Sequence, residues 1–390
     1  MRSLTDVRPQ LRAVRTAADA LGLRPFELLH AGPPLADPRR PPHTLVSSIV
    51  MSCLHEGWAH DEAGAQALLC DGALSLSPAQ DRACVTPLAA IVSPATPVFE
   101  VGDADGGALY THAPLSAVRG ADTRMGWRDP AVIKRLQMRD TVTAPAFRRL
   151  LEETGPIDLW PLAAAGLAAG DDLHGITGQA NAALAAALRA RQASPLADDI
   201  AATPLFFLTL WMAASALLLR AAEHSGPATL VTRAGGNGER FAIALAGRPG
   251  HWVSCEATAP EGPRLPEVSP AALVEGAIGD SAVIDMLGLG GQRLARAPGL
   301  LAAFEAHGAL GAALTADLQM ASPERLLSLA QPLLQDAWPL GLDAARVLAH
   351  HQSPRVMLAM LGRDGLTGLC GRGIYRPPLE LFERAVNALA

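Results

Sequence analysis

Gly279-Asp280-Ser281-Ala282-Val283-Ile284-Asp285-Met286-Leu287-Gly288-Leu289-Gly290-Gly291 is the stretch on which the reading of this chain turns. It opens as a helix N-terminus. Asp280 or Ser281 is placed to cap the free amides, and those amides with the helix dipole favour an anion. It closes on Gly288, Gly290 and Gly291, which let backbone approach backbone or ligand closely. Upstream lies a second glycine loop, Val231-Thr-Arg-Ala-Gly-Gly-Asn-Gly-Glu-Arg-Phe241. Either loop is read as an anion cradle or as an ordinary cap and turn, because short glycine motifs recur by chance.

The chain has 390 residues, enough for two or three domains with real cores. Hydrophobic residues make up 49%, which argues against disorder. The net charge of -6, from 32 basic and 38 acidic residues, offers no global attraction to nucleic acid or to an anionic membrane. Arginine carries almost all the positive charge, Lys134 being the single lysine, and arginine suits bidentate recognition of phosphate and carboxylate. Five cysteines stand far apart without a Cys-x-x-Cys pair, so no disulfide framework or zinc ribbon is indicated. The charged segment Met1 to Gln10 does not read as a signal peptide. Leu205 to Leu219 is too short for a membrane span and reads as a buried helix. The expected location is the cytoplasm, with no cofactor and no metal.

The pattern along the chain mixes helical and strand-like segments. Leu11 to Leu23 reads as an alanine-rich helix, Thr44 to Gly57 and Asp61 to Cys70 as two more. From Leu74 to Val101 short apolar runs, Leu88 to Val92 among them, alternate with prolines as strands and turns do, and Asp103-Ala-Asp-Gly-Gly suits a hairpin. Arg119 and Arg124 lie in an irregular stretch where they are free to meet an anion. Five helical segments follow, Ala131 to Met138, Ala144 to Glu153, Leu159 to Ala169, Ile176 to Arg191 and Pro204 to His224. Strands return at Ala228 to Thr232, Phe241 to Ala246, Trp252 to Ala257 and Arg355 to Leu361. Helices are expected at Ser281 to Leu287, Leu300 to Ala313, Glu324 to Leu334 and Leu379 to Ala390. The expected division is an N-terminal α/β domain over 1–128, a helical domain over 129–225 and a C-terminal α+β domain over 226–390.

Several chemistries lack their motif. There is no Gly-x-x-x-x-Gly-Lys-Ser/Thr loop, no Gly-x-Ser-x-Gly elbow and no His-Glu-x-x-His. His350 and His351 are adjacent, and adjacent side chains on a helix diverge. Between two alanine-rich helices sits a polar knot, Gly170-Asp-Asp-Leu-His174. Its carboxylates and imidazole suit either acid–base work or capping of the following helix.

These segments, taken together, resemble the AllG family, which includes the YlbE-like and YahG-like proteins. The resemblance rests on His30-Ala-Gly-Pro-Pro, Glu56-Gly-Trp-Ala, Pro97-Val, Gly170-Asp-Asp-Leu-His and Val231-Thr-Arg-Ala-Gly-Gly-Asn-Gly. It continues through Gly279-Asp-Ser-Ala, Gly288-Leu-Gly-Gly and Gly371-Arg-Gly-Ile-Tyr-Arg-Pro-Pro. It runs in order from about Leu28 to Leu389. The sequence departs from the family's Pro-Cys-His-His-His stretch, reading Ser77-Pro-Ala-Gln-Asp-Arg-Ala-Cys there, and looks like a divergent member. The resemblance implies a three-part α+β fold with a helical middle. It also implies a link to oxamate carbamoyltransferase, which interconverts oxamate plus carbamoyl phosphate with oxalurate plus phosphate. The implied partners are AllF-like (FdrA-like) and AllH-like subunits, with a homo-oligomer also allowed.

Carbamoyl transfer needs an oxyanion site, donors that polarise the carbamoyl carbonyl, and a base for the acceptor nitrogen. Asp171, His174 and Asp280 are the catalytic candidates. His30, Glu56, Arg233, Gly236, Asn237, Gly238, Gly279, Ser281 and Arg372 are the substrate-binding candidates. The Arg233 to Gly238 loop and the Gly279 to Ser281 helix start are expected to face one cleft, with Asp171 and His174 opposite. A non-catalytic assembly or ligand-binding subunit of a multi-subunit transferase, and a ureide or cyclic amide hydrolase, are the alternative functions.

Overall fold

The computed structural model describes residues 6–115, 122–203, 205–223, 225–320, 322–329 and 338–390. Arg119 therefore lies outside the described residues. The first segment departs from expectation: Pro9–Thr16 is a strand, β1, and only Ala17–Leu21 is helical, α1. Leu11 faces Val101 and Val14 faces Phe99 across the ladder, so burial of alternate apolar side chains overrides the alanine-rich helical pattern. Thr16 caps α1 by accepting from the Asp19 amide.

Glu27–His30 (β2) leads into His43–His55 (α2) and Glu62–Cys70 (α3), and Ser75–Pro78 (β3) returns parallel to β2. Pro97–Asp103 (β4) and Tyr110–Pro114 (β5) form the hairpin expected at Asp103 to Gly107. Leu88 to Val92 is not a strand; Val92 alone bridges to Leu29.

The helical block holds Pro130–Met138 (α4), Ala144–Thr154 (α5), the short strand Ile157–Asp158 (β6), Trp160–Ala168 (α6) and Gly178–Ala190 (α7). Ser194–Ala201 (α8), which sequence reading did not anticipate, starts on a Ser-Pro pair before Phe206–Ala222 (α9). Every residue of α9 except Arg220 is buried, as expected of a helix apolar on all faces. Among the described residues no single helix is long and apolar enough to cross a membrane. The bent pair α8–α9 passes on length and composition only.

The C-terminal part contains Val231–Asn237 (β7), Arg240–Leu245 (β8), Val253–Glu256 (β9) and Ile278–Gly279 (β10), in the antiparallel order β10-β7-β8-β9. Ala282–Leu287 (α10), Pro298–Glu305 (α11) and Ala309–Met320 (α12) follow, then Leu327–Leu329 (β11) paired with Leu340–Leu342 (β12). The helix expected from Glu324 is instead a 3-10 turn running into β11, and 330–334 lie outside the described residues. Ala344–Ala349 (α13), the ribbon Val356–Leu361 (β13) and Leu369–Tyr375 (β14), and Leu379–Asn387 (α14) complete the chain.

The mixed helices and several small sheets make this an α+β fold. Packing does not follow the three-part division. β6 joins β1 at the edge of the sheet β5-β4-β1-β6, and α9 packs on β4, β5 and β7. The main apolar cluster runs from Val7 to Ala385, across both expected boundaries.

The glycine loop at β7 is a packing device. A Cβ on Gly236 would run into the Ala277 carbonyl oxygen, and one on Gly32 would run into the Gly236 carbonyl carbon. Both are backbone atoms held by strand pairing, so neither yields. Gly236→Ala is expected to lower stability by about 2 kcal/mol or more, read as the urea midpoint with an unchanged slope. A midpoint within error of wild type would refute this packing account.

Candidate active site

The two glycine segments are neighbours: β10 pairs with β7, Ile278 opposite Asn237 and Gly279 opposite Gly236. Their side chains look inward. Asp280 is fully buried and accepts from the Gly32 amide at 2.8 Å, Gln80 Nε2 at 2.7 Å and the Thr86 amide at 2.9 Å. Gln80 Nε2 also donates to the Ala234 carbonyl. Asp280 is thus not a side-chain cap for α10, whose N-cap residue is Ser281. Asn237 donates to the Pro33 carbonyl and accepts from the Glu239 and Arg240 amides, closing the β7–β8 turn. Gly238 supplies the positive φ that turn needs.

Other candidates are also committed within the fold. Arg233 pairs with Asp81 and Glu223. His30 Nδ1 meets the Ala31 carbonyl, and burial pushes its imidazole down to about 4. Glu56 accepts from the Ala95 amide. Asp171 accepts from the Gln179 and Ala180 amides and so caps α7, the structural alternative for that residue.

A cavity of about 390 Å³ opens beside this frame. Of the sequence candidates it brings together His174, Ser281 and Arg372. Asp171, Asp280, His30, Glu56, Arg233, Gly236, Asn237 and Gly238 do not line it. Gly279 stands behind its wall, where a Cβ would lie 2.8 Å from the amide nitrogen of Leu88, a lining residue. The expectation of one cleft faced by both glycine loops is corrected: they touch, but the Arg233 to Gly238 segment packs as sheet backbone.

His174 lines the cavity and is held in a hydrogen-bonded frame. Asp172 folds its turn by accepting from the amides of His174, Gly175 and Ile176. His174 Nδ1 donates to Asp285 Oδ2 at 2.7 Å, and Asp285 is fully buried on α10. Asp285 also accepts from the Gly291 amide at 2.8 Å and the Met357 amide at 3.2 Å. A Cβ at Gly290 would press on both Asp285 and His174, so the Gly288 to Gly291 run shapes this cradle. With Nδ1 committed, Nε2 is the ring nitrogen offered to the cavity. Burial alone would push the imidazole down; the charge and hydrogen bond of Asp285 outweigh it, and its pKa lies above the ordinary 6.5.

Arg124, Arg264 and Arg372 complete the polar lining. Arg124 Nε is buried without a partner among the described residues. Arg264 Nη1 donates to the Ser269 and Ala272 carbonyls, which fix its loop. Sequence reading missed Asp285 and Arg264. Asp285 lies inside the quoted glycine stretch, but its partner is 111 residues earlier. Among the described residues, no group of three or more His, Cys, Asp or Glu is arranged to hold a metal ion.

Burial raises the Asp280 carboxyl from 3.8 to about 7, against the pull of its donors. The folded state therefore binds the proton that the unfolded chain releases between those values. The contribution of this group to stability is full below about pH 3.8 and is lost as pH rises through about 7. Denaturation midpoints taken from pH 5 to 8 should fall more steeply for wild type than for Asp280→Asn, which does not titrate. Parallel profiles would contradict the assignment.

The sequence and the fold have counterparts among known proteins. The family model for oxamate carbamoyltransferase subunit AllG matches residues 74–281. The oxamate carbamoyltransferase subunit AllG of Escherichia coli K12 is 30% identical over 385 residues, covering 93% of this chain and 89% of that protein. The uncharacterized protein YahG of the same organism is 27% identical over 382 residues, covering 94% and 79%. A crystal structure of a conserved protein of unknown function from Enterococcus faecalis V583 shares the fold. Its TM-score is 0.88 at 24% identity, over 99% of this chain and 94% of that one. With the match to the family model and the 30% identity extending nearly end to end, this chain belongs to the AllG family.

Proposed function

We propose that this chain is a subunit of a carbamoyltransferase, moving a carbamoyl group between carbamoyl phosphate and a small amide or amine acceptor of the oxamate type. The observation that carries the reading is the His174–Asp285 pair, set in a cavity whose other charged side chains, among the described residues, are arginines. Membership in the family of oxamate carbamoyltransferase subunit AllG supports it. Assembly with AllF-like (FdrA-like) and AllH-like partners, in the cytoplasm, is part of the same proposal.

In this reading the acceptor nitrogen attacks the carbamoyl carbon. The new C–N bond forms, the C–O bond to phosphorus breaks, and phosphate leaves with that electron pair. His174 Nε2 takes the proton from the attacking nitrogen, while Asp285 steadies the imidazolium. Arg372 and Arg124 hold the phosphate and the acceptor's carboxylate as charge-assisted partners. Ser281 offers a hydroxyl at the same wall.

The test uses the full chain with its partner subunits, carbamoyl phosphate and an acceptor, and follows phosphate release. His174→Asn should lower kcat about 100-fold or more while leaving the fold intact by circular dichroism. Undiminished turnover in that variant would sink the reading.

Neutral His174 is the active form, so the rate should rise with pH through the histidine's elevated pKa, above 6.5. Asp285→Asn removes the charge that raises it, and the inflexion should move to lower pH as the rate drops. An unmoved inflexion would exclude His174 as the base.

Arg372→Ala should raise the KM for an anionic substrate about tenfold or more with a smaller change in kcat. An unchanged KM would exclude Arg372 from substrate binding.

A further inference from the structure

The cavity's wall is chemically lopsided. Among the described residues its titratable side chains are Arg124, Arg264, Arg372 and His174, and no Asp or Glu lines it. Most of the remaining surface is apolar: Leu205 just before α9, Leu208 in its first turn, Met125, Leu265, Met357 and Leu369. Oxamate is a carboxylate joined directly to an amide and has no carbon free to touch such a wall. At about 390 Å³ the space lies in the range that holds much larger organic ligands.

The placement of the arginine sharpens the point. Arg372 on β14 stands opposite Ala359 on β13 in the antiparallel register, and both line the cavity. Paired residues project from the same face of a ribbon, so the stem of Arg372 rises beside a methyl group and not a bulky side chain. Ala303 from α11 is a second small side chain on the wall. An anionic group held at Arg372 therefore has open, apolar-walled space beside it.

We propose that the acceptor of this protein is an anionic primary amide carrying an apolar side chain, with Ala359 and Ala303 as the residues that make room for it. The identity of the reacting amide rests on the carbamoyl-transfer reading; the preference for an apolar substituent rests on the wall alone. The carboxylate is held at the arginines, the amide nitrogen faces His174 Nε2, and the side chain lies against Leu205, Leu208 and Met357.

The test is calorimetric titration of the full chain with oxamate, malonamate and 2-benzylmalonamate. The expected result is that the benzyl compound binds about tenfold or more tighter than malonamate, the gain for burying one aromatic side chain. Ala359→Leu and, separately, Ala303→Leu should each cut the ratio between benzyl compound and malonamate about tenfold. Equal or tighter binding of oxamate and malonamate by wild type would overturn the proposal, as would binding of none of the three. Because the wild-type series decides this alone, a variant that fails to fold does not shield it. A preserved preference without phosphate release from carbamoyl phosphate would remove the transfer reading and leave this inference standing. Transfer confined to oxamate would do the reverse.

Discussion

A fully buried carboxylate is tolerable only when donors replace the water it has lost, and the fold is arranged around one such group. Asp280 belongs to the C-terminal part of the chain, yet the donors that satisfy it come from Gly32, Gln80 and Thr86. Gln80 then passes a second hydrogen bond to the Ala234 carbonyl on β7. The carboxylate is solvated by protein only after both halves of the chain have come together. Sterics enforce the same spot, since a Cβ on Gly235 would sit 2.5 Å from Asp280 Oδ1. Electrostatics and close packing thus select one arrangement of the N-terminal loops on the C-terminal sheet.

Two aspartates on either side of the α10 start divide the work. Asp280 meets backbone, amide and hydroxyl donors and, among the described residues, has no titratable partner in hydrogen-bond contact. Asp285, a turn later and equally buried, meets an imidazole that opens onto a cavity. The polar knot repeats this division: Asp171 caps a helix, Asp172 folds a turn, and His174 is what the two present. In each case the environment and not the residue type separates scaffold from chemistry.

Sequence patterns gave most helices and the β7–β8 hairpin because these follow local periodicity and turn chemistry. β1 was misread because alanines and arginines mask an alternation whose meaning comes only from pairing with β4. His174, Ser281 and Arg372 could be singled out from the residues that carry the family resemblance. Asp285 could not, because nothing local marks an aspartate whose role depends on a histidine far upstream. The glycine loops were legible as places of close approach, but sequence does not say whether the approaching group is a ligand or another strand. At Gly32 and Gly236 it is backbone.

The helix that walls one end of the cavity is also buried along its length, Arg220 excepted. Leu208 of α9 lines the cavity, while α9 itself packs against β4, β5, β7 and α10. A ligand that touches Leu208 leans on a core element, and core elements lie at the high end of the range of local stabilities. The reverse also follows. A ligand that binds only while α9 is in place raises the free energy of opening that helix, so its amides exchange more slowly with the cavity filled.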